Sequence, residues 1–133
     1  MRKYENFRRC LAVLTRYDES LFRTDEIYRM GVIGQFNLSF ELAWKVLQAV
    51  LIQHSVEKAA TGSPREIVKL GFQYGFLSDE LIWLDMLKRR NLLTHVYCEE
   101  NLEELIEPLK GSFIPALERF RDSMGERIEG EEV

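Results

Sequence analysis

Several residue types that organise small folds are scarce in this chain of 133 residues: it has three prolines, two cysteines and two histidines. Few prolines beside long stretches of helical apolar spacing argue against a fold of many short strands. Cys10 and Cys98 follow no secretory-type segment, since the N-terminus reads Met1-Arg2-Lys3-Tyr4-Glu5 without a long apolar run. They therefore read as two thiols rather than a disulfide. His54 and His95 stand alone, with no CxxC or HExxH near them, so no metal site and no other cofactor is expected. No apolar run is long enough to span a bilayer, which leaves no membrane role and makes the cytoplasm the expected location. The net charge of −4 argues against a general nucleic-acid coat protein, but it leaves room for a local basic site.

What remains is a chain of one-domain length with helical periodicity throughout. The expectation is a single domain over 1–125 and an acidic, solvated tail over 126–133, carrying Glu129, Glu131 and Glu132. A first helix is predicted from about Lys3 to Leu21, with Tyr4, Phe7, Leu11 and Leu14 as its stripe. Thr24-Asp25-Glu26 reads as the start of a long helix reaching about His54. Its broad face holds Met30, Ile33, Asn37, Phe40, Glu41, Trp44, Leu47, Gln48 and Leu51, and Gly31 and Gly34 suggest a closely packed neighbouring helix, with a ligand cleft as the alternative.

Ser63-Pro64-Arg65-Glu66 is a capping box with proline at the first helical position, opening a short helix that ends near Gly75. Ser78-Asp79-Glu80 caps the next helix, and a last one begins near Asn101 with Pro108 and Pro115 inside it, where a kink or break is expected. The fold class that follows is all-α: an antiparallel, up-and-down four-helix bundle with an extra short helix.

The chemistry concentrates in Arg90-Asn91-Leu92-Leu93-Thr94-His95-Val96-Tyr97. At ~100° per residue, Arg90 and His95 diverge by about 140° on an ideal helix. Asn91 aligns with His95, and Arg90 with Tyr97. A site using both Arg90 and His95 needs a distorted helix end, a bridging arginine or a second subunit. These groups suit RNA cleavage without a metal. The strand supplies its own nucleophile, the 2′-hydroxyl; a histidine moves the proton; an arginine holds the phosphate and its developing charge. Asn91 would steady the His95 ring, and Lys88 and Arg89 would attract the phosphate backbone. Cations in a last turn are also what the helix dipole favours, and a histidine there is often a plain capping residue. Glu41 is either a buried acid paired with Arg90 or Lys88, or a rim residue.

Arg90-Asn91, His95 and Tyr97 together resemble the HEPN signature, arginine, polar residue and histidine, extended by a tyrosine. Phe40-Glu41-Leu42-Ala43-Trp44-Lys45, Ser63-Pro64-Arg65-Glu66 and Trp83-Leu84-Asp85-Met86-Leu87 are similar to blocks of the HEPN branch called nucleotidyltransferase substrate-binding proteins. The resemblance covers roughly Phe36 to Leu105. It implies a HEPN-like helical bundle that forms a homodimer, and a partner that is a minimal nucleotidyltransferase encoded next door. In toxin–antitoxin pairs of this kind it implies a metal-independent ribonuclease acting on RNA, with Arg90 and His95 catalytic and Asn91 supporting. The transferase would silence it by AMP transfer to Tyr97. The older family name implies instead a non-catalytic subunit that presents substrate to the transferase.

Overall fold

The computed structural model describes residues 1–96 and 102–132, with the side chains of 91–96 and 129–132 set aside. Every regular element in the described residues is helical: α1 (Arg2–Leu14), α2 (Glu19–Thr24), α3 (Glu26–Gln53), a 3₁₀ turn (Glu57–Thr61), α4 (Pro64–Gln73), α5 (Glu80–Val96), α6 (Glu103–Pro108), a π-helical turn (Leu109–Phe113) and α7 (Ile114–Glu132). Among these residues no helix is long and apolar enough to cross a membrane. The acidic residues from Glu126 continue α7 in helical conformation through Glu132.

Two boundaries differ from the sequence expectation for one reason: aspartates capture helix starts. The predicted first helix stops at Leu14, because Asp18 turns extended and its carboxylate accepts from the Leu21 amide at 3.1 Å, opening α2. Asp25, rather than Thr24, then caps α3 by accepting from the Tyr28 amide at 3.0 Å. Thr24 instead returns its hydroxyl to the Ser20 carbonyl.

The signals around α4 act as the sequence suggests. The Ser63 hydroxyl accepts from the Glu66 amide at 3.2 Å, and Pro64 sits inside the first turn. At the other end Gly75 takes a φ of 80°, and the Phe76 and Gly75 amides donate back to the Gly71 and Phe72 carbonyls at 2.8 and 3.1 Å. That is a Schellman stop, which needs a residue without Cβ at the left-handed position.

The prolines of the last stretch give a wide turn rather than a break. Neither Pro108 nor Pro115 can donate to the carbonyl four residues back, and the chain passes through the π-helical turn between them. The Glu104 carbonyl, which Pro108 cannot serve, receives Arg89 Nη1 at 3.2 Å.

α3 is the hub: α1, α2, α4, α5 and α7 all pack against it. A run of aromatic edges ties the core together. Phe40 of α3 meets Trp83 of α5 at 5.9 Å, Trp83 meets Phe120 of α7 at 5.1 Å, and Phe120 meets Phe7 of α1 at 5.6 Å. All of these rings are buried, and such pairs add about 0.5–1.5 kcal/mol each beyond area burial. The close approach between helices is not at Gly31 and Gly34, where an added Cβ would meet nothing within 4 Å. Close approach lies instead at Gly71 of α4, where a Cβ would stand 2.6 Å from Leu47 Cδ2 of α3, and at Gly125 of α7, where it would stand 2.6 Å from the Tyr4 hydroxyl of α1.

Leu47 is fully buried, so it has little room to swing away. Gly71→Ala is therefore predicted to destabilise. Overpacking costs about 1–3 kcal/mol and outweighs the gain of up to ~1 kcal/mol from replacing a helical glycine. Urea unfolding checks this: the midpoint should fall, and a rise would show that the α3–α4 contact is slack.

Candidate functional site

The sequence places Phe40, Glu41 and Trp44 within little more than a turn of α3, so one helix delivers an inward ring, an edge carboxylate and an indole donor to the same region. Phe40 is fully buried, while the Glu41 side chain is 38 % exposed. α5 crosses beside it and delivers Arg90, whose side chain is only 18 % exposed. The Arg90 Nη1 group is ion-paired with Glu41 Oε1, and its guanidinium carbon lies 5.6 Å from the Phe40 ring centroid. Trp44 Nε1 donates to the other carboxylate oxygen, Glu41 Oε2, at 2.7 Å. Each carboxylate oxygen of Glu41 thus has a defined donor, and Arg90 is held by charge on one side and an aromatic face on another. Glu41, left open between partner and rim by the sequence, is the partner of Arg90.

Arg90 also lines a cleft of about 320 Å³ with Lys88, Leu84 and Leu87 of α5 and with Ser63, Pro64 and Arg65 at the start of α4. A larger hollow of about 400 Å³ lies between α1 and α3, lined by Val13, Tyr17, Tyr28 and Gly31 among others, with Arg16 its one charged lining residue. Gly31 lines it, but none of the chemistry-bearing residues of the Arg90 segment does. The smaller cleft is the one where cations from two helices converge.

The remaining predicted residues fall as follows. Lys88 is exposed on the cleft wall. Arg89 is turned elsewhere: it lies 3.7 Å from Asp85 one turn earlier and donates to the Glu104 carbonyl, so it clamps α5 to α6. It lines a separate, mostly apolar hollow with Ile33, Phe36 and Phe113. Asn91 and His95 lie in α5, whose backbone stays helical through Val96. Positions 90 and 95 therefore keep the ideal-helix separation of about 140°, and the backbone offers no irregular turn to bring them together. Tyr97 and Cys98 lie outside the described residues. Cys10 is a buried free thiol, 3.3 Å from Ser39 Oγ and accepting from Gln35 Nε2 at 3.2 Å.

Sequence reading passed over Arg65 as part of a cap. Its place on the cleft was legible only as a basic residue inside the capping box. Asn37, one turn before Glu41, carries a buried Oδ1 with no hydrogen-bond partner among the described residues, an acceptor set into the same face of α3.

The family model described as nucleotidyltransferase substrate binding protein like matches residues 2–126. The chain belongs to that family. A search of curated proteins finds no match. The match takes in the α3 block with Glu41, the α4 capping box and all of α5, so the substrate-binding-protein assignment covers each side chain of the cleft. The family's description ties its members to a nucleotidyltransferase.

The role of the indole donor is testable by Trp44→Phe, which keeps the ring and removes the N–H. Loss of one hydrogen bond to a charged acceptor predicts a destabilisation of about 1–2 kcal/mol, read as a lower denaturation midpoint. An unchanged midpoint would mean that Trp44 does not support Glu41.

Proposed function

We propose that this chain is the HEPN-type subunit of a two-protein system, a metal-independent ribonuclease whose activity a partner minimal nucleotidyltransferase silences by AMP transfer to Tyr97. The fold proposed with it is the antiparallel four-helix HEPN-like arrangement, assembled as a homodimer. The observation that carries the reading is the fixed guanidinium of Arg90. It stands at a cation-lined cleft on the same helix as Asn91 and His95, in a chain of the nucleotidyltransferase substrate-binding family.

Each group has a task in phosphodiester cleavage. Arg90 neutralises the phosphate, and its charge counts most as negative charge grows on the equatorial oxygens. His95 takes the 2′-hydroxyl proton or gives one to the leaving 5′-oxygen, the exchange that an imidazole is suited to. Asn91, one turn before His95, orients the ring. Glu41 positions Arg90 without touching substrate. Since α5 keeps its register through Val96, Arg90 of one subunit is proposed to act with His95 of the other, or to bridge along its own helix.

The second reading, a non-catalytic subunit that presents substrate to the transferase, is favoured by the family's description itself. Cleavage separates the two. RNA incubated with the purified chain and excess chelator should be cut, and His95→Ala should lower the rate at least ~100-fold, the lower end of what a general acid–base group contributes. Arg90→Lys should lose most activity while keeping a charge. No cleavage by the unmodified chain, or full cleavage by His95→Ala, contradicts the ribonuclease reading. Intact-mass measurement of Tyr97-containing peptides after co-expression with the transferase should show AMP on the tyrosine. Repeated absence of the adduct contradicts the silencing step.

A further inference from the structure

We infer that the cleft between the start of α4 and the middle of α5 is a phosphate-binding subsite, with Arg65 and Lys88 as its cations and Arg90 at its inner edge. The inference deepens the ribonuclease reading and rests on it for the identity of the strand, but its test does not depend on cleavage.

Several independent features meet there. Arg65, Lys88 and Arg90 line one concavity from two different helices, in a chain whose net charge is −4. Arg90 is engaged by Glu41. Arg65 and Lys88 are both exposed, and among the described residues neither has an ion-pair partner. The one carboxylate in the first turn of α4, Glu66, is occupied by the Ser63 hydroxyl at 3.1 Å. The nearest acid along α5, Asp85, faces Arg89. Unpaired cations lining a cleft raise the local concentration of anions against the global charge.

The backbone adds a donor. Pro64 has no N–H and the Glu66 amide is taken by Ser63; the Arg65 amide, in the first turn at the positive end of the α4 dipole, has no intrahelical acceptor. A phosphate seated there would meet an amide, a guanidinium and an ammonium. The apolar floor of Leu84 and Leu87 suits the sugar or base face attached to it. Arg89, the cation that sequence alone assigns beside Lys88, is committed to α6; Arg65 takes its place.

The phosphate has two chemical sources, a nucleic-acid strand and a free nucleotide, and two ligands separate them. Binding of a fluorescent single-stranded 2′-O-methyl RNA, which lacks the nucleophile, is measured with the full-length chain by anisotropy across a salt series; ATP is measured in parallel by calorimetry. Arg65→Gln and Lys88→Gln are compared with Arg9→Gln, an equal charge change at an exposed position of α1. For a strand, Arg65→Gln and Lys88→Gln should each weaken RNA binding several-fold and flatten the slope of log K against log salt by about 0.7 per cation, with Arg9→Gln near wild type. For a nucleotide, ATP binding should show that dependence and RNA binding should not. The subsite is overturned if neither ligand distinguishes Arg65→Gln and Lys88→Gln from Arg9→Gln. Failure of the ribonuclease reading looks different: RNA binding that depends on Arg65 with no cleavage of ordinary RNA leaves the subsite standing, and cleavage with unaltered binding does the reverse.

Discussion

Glu41 on α3 and Arg90 on α5 meet at the edge of the aromatic core, and the placement of the innermost cation of the α4–α5 cleft depends on that pair. The guanidinium rests against Phe40, which is the first ring of the series running through Trp83 and Phe120 to Phe7. Arg90 is thus anchored against the buried aromatic core, while it lines the cleft. A pair this close to solvent contributes on the order of 1 kcal/mol to stability. Its larger consequence is positional, because a long side chain with many rotamers is reduced to one place. Trp44 strengthens that effect by fixing the second oxygen of Glu41.

The pair also explains why an acidic protein can present a basic site. Glu41 neutralises the innermost cation, so Arg90 can be largely buried without an uncompensated charge. The outer cations, Arg65 and Lys88, remain available to an anion. Arg89 shows the opposite use of the same side chain. A proline leaves the Glu104 carbonyl without its helical donor, and Arg89 supplies one, joining the helix that carries the candidate catalytic residues to the last helical stretch. Neighbouring arginines on α5 therefore serve separate ends, one toward the cleft and one toward the frame.

The all-helical class, the long α3 ending at His54, the capping box at Ser63 and the stop at Gly75 were all legible in the sequence, because each is a local signal with a local cause. The break after Leu14 was not: Tyr17 and Leu21 prolong the apolar spacing, and only the competition from Asp18 for a helix start ends the helix. Gly31 and Gly34 looked like a packing surface because small residues permit close approach, yet Gly71 is the one that a neighbouring leucine presses on. For the site, the sequence left Glu41 open between a partner of Arg90 or Lys88 and a rim residue, and the structure pairs it with Arg90. The diversion of Arg89 and the arrival of Arg65 depend on how α4, α5 and α6 meet, which no periodicity along one helix encodes.

The seating of Arg90 by Glu41 is tested most directly by a double-mutant cycle of Glu41→Gln and Arg90→Gln, with unfolding free energies from urea titration of the full-length chain. The account predicts that the losses are not additive and that the two residues are coupled by about 1 kcal/mol, within the range for contacting charged groups. Additivity to within about 0.3 kcal/mol would contradict it, because Glu41 would then not hold the arginine at the cleft.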